Sequence, residues 1–96
     1  MKEETGRWLD RAKDHLRKAE DNCRIENHDL ASFPSHETAE LALKAFLIET
    51  TGHFPRIHDL VRLGRLVGVE ADLLRDCELL TFVYTETRYP DTGFRE

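Results

Sequence analysis

Apolar residues recur near the start of the chain at spacings of four, four, three and four: Trp8, Ala12, Leu16, Ala19 and Cys23, with Lys, Arg, Asp and Glu filling the positions between. That period is helical, and the charged remainder marks an amphipathic helix with one buried stripe. Thr5 is placed to cap it, and Asn27-His28-Asp29 offers a break after it. Asp29 or Ser32 can then cap the second helix. The second segment, PSHETAELALKAFLIETTG, carries Ala39, Ala42, Leu43, Phe46, Leu47 and Thr50 on one side, with Leu41 and Ile48 roughly opposite. A helix apolar on two sides is expected to be buried twice, either as the centre of a bundle or between its own chain and a second subunit. Pro34 lacks an amide hydrogen and clashes with the preceding turn, which predicts a helix start near Phe33 or a kink there.

Thr51-Gly52-His53-Phe54-Pro55 reads as a stop and a loop, since glycine suits a left-handed cap and proline cannot continue the helix before it. A shorter helix is predicted from about Ile57 to Val67, with Ile57, Leu60, Val61 and Val67 inward, Gly64 permitting close approach and Gly68 ending it. The last segment aligns Leu73, Cys77, Leu80 and Tyr84 on one stripe, with Leu79, Phe82 and Val83 forming a second apolar side and Arg88 one turn beyond Tyr84. No stretch alternates as a strand would. The expected fold is therefore all-α, an antiparallel up-and-down four-helix bundle occupying residues 1–96 as one domain.

Composition narrows the function classes. At 96 residues the core is modest, so help from a partner is expected. The net charge of −5 disfavours non-specific nucleic-acid binding, and RNA is not an expected partner. The best local basic group is Arg56, His58, Arg62 and Arg65, opposed by Asp59. No apolar run approaches the roughly 18–20 residues that cross a bilayer, and the first residues are too charged for a secretory segment, so a cytoplasmic protein is expected. Cys23 and Cys77 show no CxxC pattern and are expected to be small core residues.

Phe33-Pro-Ser-His-Glu-Thr-Ala-Glu-Leu-Ala-Leu-Lys-Ala-Phe-Leu, with a glycine loop, His58-Asp59-Leu60 and Arg88-Tyr89-Pro90-Asp91 after it, resembles the HEPN domain family in order and spacing. Trp8-Leu9 and Ala12 agree with the start of that pattern, so the likeness runs from about Trp8 to Asp91. The resemblance implies a helical bundle that commonly dimerises and occurs beside minimal nucleotidyltransferases. Many members carry a further helix after the RYPD segment, for which this sequence leaves no room, and the bundle is expected to be open on one side. Pro34, where helix formers are usual, is a second departure.

Catalytic members of the family are metal-independent ribonucleases in which four to six residues separate an arginine from a histidine, the arginine stabilising phosphate charge and the histidine moving a proton. Here Arg11 with His15 and Arg24 with His28 are each one residue too close, and no histidine comes after Arg88. No catalytic residue is expected. Arg88 and Tyr89 sit at the family's functional end and, with His58 and Arg62, are the candidates for gripping a phosphate-bearing ligand. Each also has a structural reading: a cation complements the last helical turn, Pro90 forces Tyr89 out of helical geometry, and His58-Asp59 suits a helix start. His36-Glu37-Thr38-Ala39-Glu40 departs from HExxH in its last position. His36 and Glu40 share a face, but two ligands do not make a zinc site, and neither metal nor cofactor is expected. These features point to a non-catalytic, homodimeric module that binds a nucleotidyltransferase partner or a nucleotide-like ligand, as in a toxin–antitoxin type system. The alternatives are a ribonuclease toxin with a non-standard site, such as Arg88 with His58, and a plain helical interaction domain.

Overall fold

The computed structural model describes residues 1–88, with side chains through Glu86, as four helices: α1 (Glu3–Arg24), α2 (His28–Thr51), α3 (Leu60–Val67) and α4 (Ala71–Arg88). No strand occurs among the described residues. The turn expected at Pro90 to Gly93 lies outside them.

α1 and α2 form an antiparallel hairpin. Lys2 Nζ donates to the Ile48 carbonyl at 3.0 Å and Thr5 Oγ1 to Glu49 Oε1 at 3.0 Å, so the start of α1 meets the end of α2. Between these ends the small residues Ala12 and Ala19 bury against α2. Thr5 is therefore not a cap; the N-cap position is Lys2, without a side-chain cap bond, and Thr5 is buried in the hairpin. The expected stripe is also narrower than its spacing suggests. Leu16 and Cys23 stay exposed because α1 packs against α2 alone, and no other described helix reaches its flanks. Cys77, by contrast, is buried as expected, and burial pushes its thiol above the ordinary value.

α2 begins at His28, earlier than the expected start near Phe33. Asn27 caps it by accepting from the Leu30 amide at 3.4 Å, where Asp29 and Ser32 were the expected caps. Pro34 then falls in the second turn, where the missing amide deprives only the carbonyl of Leu30, a residue on the exposed side of the helix. The buried side of α2 also differs from expectation: Leu41, Ala45, Leu47 and Ile48 are covered, whereas Phe46 and Thr50 face outward.

Gly52 and Gly68 end α2 and α3 with φ of 88° and 84°, the left-handed conformation that glycine adopts without strain. α3 starts at Leu60, three residues later than Ile57. Asp59 sets that start by accepting from the amides of Val61 and Arg62 at 3.0 and 3.2 Å. Leu60 and Leu63 are fully buried, and a Cβ at Gly64 would lie 3.1 Å from Leu74 and 3.2 Å from Val69, so glycine allows α3 to lie close on α4. α4 packs on α2 and α3, with Leu73 beside Leu43 and Tyr84 beside His36, again antiparallel to α2. Among the described residues, the backbones of α1 and α4 do not approach one another closely.

Candidate functional site

Burial concentrates charge on one face of α2. His36, Glu40 and Lys44 succeed one another at intervals of four, which stacks them along one side of a helix, and all three are buried. Lys44 Nζ donates to Glu40 Oε2 at 2.8 Å, and the ammonium lies 5.4 Å from the centre of the Phe54 ring. Phe54 in turn meets Trp8 edge to face at 4.5 Å, half-burying the tryptophan that the sequence marks as a core anchor. The segment from His53 to Asp59 thus folds back across α2 and closes over its charged row.

His58 comes from that segment. Its Nδ1 lies 2.6 Å from Glu40 Oε2, and because a carboxylate only accepts, Nδ1 carries the proton and donates it. Burial by itself would raise the Glu40 pKa, but the bonds from Lys44 and His58 outweigh it and hold the carboxyl below its ordinary value. Glu40 Oε2 therefore serves two donors. Oε1 faces His36 Nδ1 at 3.9 Å, beyond hydrogen-bond reach.

The His36 ring stacks on Tyr84 of α4 at 4.4 Å, and Phe33 lies 6.1 Å from the same tyrosine. Burial, acting against the nearby Glu40 charge, lowers the His36 pKa and favours the neutral imidazole. Glu37 shifts the other way: burial first, then repulsion from Glu40, raises its carboxyl. Together Phe33, His36, Glu37, Glu40, His58, Asp59, Thr81, Tyr84 and Thr85 line a cavity of about 490 Å³ between α2, α4 and the start of α3. Donor atoms of His36, Glu37 and Glu40 all lie within 4.8 Å of one another, a set able to hold a metal ion.

The sequence-derived candidates separate in space. His58 lines this cavity, whereas Arg62 lines a distinct surface depression with Arg65 and Leu66, so the two do not form a single edge. Arg88 is the last residue of α4, one turn after Tyr84, and Tyr89 lies outside the described residues. Glu37, Lys44, Phe33 and Tyr84 are site residues that the sequence did not single out. The i, i+4 ladder from His36 through Glu40 to Lys44 was the available signal.

A second depression, of about 210 Å³, is apolar and lies between Ala39, Ala42 and Leu43 of α2 and Leu73, Cys77 and Leu80 of α4. Leu73 in its lining is 52% exposed, and elsewhere on the same two helices Phe46 is 49% exposed and Leu79 61%. No helix among the described residues is long and apolar enough to cross a membrane. In comparisons with known proteins, the HEPN domain family matches residues 5–96. No curated protein and no solved structure matches the chain significantly.

Proposed function

The chain belongs to the HEPN domain family, and from that membership we propose that it acts as a non-catalytic, homodimeric binding module serving a nucleotidyltransferase partner, a nucleotide-like ligand, or both. The observation that carries this reading is the apolar depression between α2 and α4, lined by Leu43, Leu73, Cys77 and Leu80 with no covering helix among the described residues, on helices that also expose Phe46 and Leu79. A 96-residue chain gains most by covering such a surface with a second copy of itself. The missing arginine-histidine pair argues against ribonuclease chemistry. Phe33 and Tyr84 place aromatic rings in the lining of the larger cavity, as recognition of a base requires. Operation within a toxin–antitoxin type system is consistent with both.

Light scattering on the purified protein at micromolar concentration, with affinity recovery from native lysate, tests the reading. A dimer that brings down a nucleotidyltransferase, or shows a nucleotide-dependent thermal shift, supports it. A monomer that recovers neither partner nor nucleotide sinks it. RNA cleavage by the native protein, lost on Arg88→Ala, would favour the ribonuclease alternative instead.

A further inference from the structure

We propose that His36, Glu37 and Glu40 form a binding site for a divalent transition-metal ion of the zinc class, with Lys44 and His58 as positioning residues. The geometry begins with the two oxygens of Glu40. Oε2 is engaged by Lys44 at 2.8 Å and His58 at 2.6 Å, which fixes the carboxylate and aims Oε1 at His36 Nδ1. Two donors on one oxygen leave the other for a different acceptor role. The 3.9 Å gap between Oε1 and Nδ1 is too long for a hydrogen bond yet admits an ion about 2.0–2.2 Å from each atom. Closing the gap by about 0.5 Å reaches tetrahedral separation.

Glu37 supplies the third ligand, since one ligand atom from each of His36, Glu37 and Glu40 lies within 4.8 Å of the other two. Charge supports the same reading. The carboxylates of Glu37 and Glu40 share one wall of the cavity, and a divalent cation relieves their mutual repulsion. One nitrogen and two carboxylates, on a wall open to a 490 Å³ cavity, are a three-ligand set with an outward position for water or a bound oxygen. Imidazole in the set selects zinc-class ions over magnesium.

Tag-free, chelator-treated protein titrated with zinc, and with cobalt as a spectroscopic stand-in, tests the site. One equivalent is expected to bind per chain, with a cobalt visible spectrum of low coordination number and a zinc-dependent shift of the His36 Nδ1 resonance in nitrogen NMR. Glu37→Gln and His36→Gln, each checked for helicity, are expected to weaken binding by about tenfold or more, and Glu70→Gln on the exposed surface to leave it unchanged. If His36→Gln fails to fold, the nitrogen resonance in the native protein decides. Absence of saturable zinc binding, an unmoved His36 resonance, or affinity unaltered by Glu37→Gln would each overturn the site.

Discussion

Glu40 and Lys44 are each about 5% exposed at the side chain, so neither charge is solvated well enough to survive alone. Glu40→Gln leaves an ammonium facing a neutral amide and an aromatic ring. It is expected to cost about 3–5 kcal/mol in urea denaturation, whereas the paired Glu40→Leu/Lys44→Met replacement costs much less because no orphan charge remains. His36 gives a pH dependence whose sign comes from its lowered pKa. As pH falls through the ordinary value of 6.5, the unfolded chain takes up a proton that the folded ring resists. Stability in metal-free buffer should therefore decline between about pH 7.5 and pH 6, and His36→Gln should flatten that decline. Glu37, with its raised carboxyl, works in the opposite direction at more acidic pH, which is why the comparison belongs above the carboxylate range. At this scale the sequence was half legible. That His36 and Glu40 share a face is simple helical arithmetic, but the arrival of His58 from 18 residues away, and of Tyr84 from α4, depends on how the Gly52–Asp59 segment and α4 lie across α2.

Helix ends show which local signals decide an element and which only suggest one. Gly52 and Gly68 were readable as stops because both occupy a backbone conformation that costs other residues free energy. The start of α2 was not. Proline's usual meaning as a breaker hid the fact that its lost bond falls on the carbonyl of an exposed residue, Leu30, near the helix end, and that Asn27 was available as the cap. α3 has eight residues and little intrinsic helicity, so it depends on its cap and its packing. Asp59→Ala is expected to cost about 1–2 kcal/mol by releasing two amides. Gly64→Val, which places methyl groups where Leu74 and Val69 already stand, should cost about 1–3 kcal/mol and loosen α3 from α4. Thermal denaturation of both variants checks these magnitudes.

The described molecule is a central helix with α1 on one side and α3 and α4 on another. The two-sided apolar pattern of α2 was legible as a sign of double burial, but a repeating pattern does not say which side is satisfied within the chain. The structure assigns Leu41, Ala45, Leu47 and Ile48 to the core and leaves Phe46 outward. Under the homodimer reading, Leu73→Glu with Leu79→Glu should shift sedimentation equilibrium toward monomer while preserving helicity, because both side chains are exposed in the single chain. α1 and α2 form the most extensive helix pair among the described residues, tied at one end by Lys2 and Thr5 to Ile48 and Glu49. The amides of α1 and α2 should consequently share an opening reaction and exchange with deuterium as one cooperative unit. The turn that joins the two helices holds Glu26, the only described non-glycine residue with positive φ, at 59°. Glu26→Gly would ease its backbone but enlarge the freedom of the unfolded chain, making this turn a place to tune how firmly the hairpin closes.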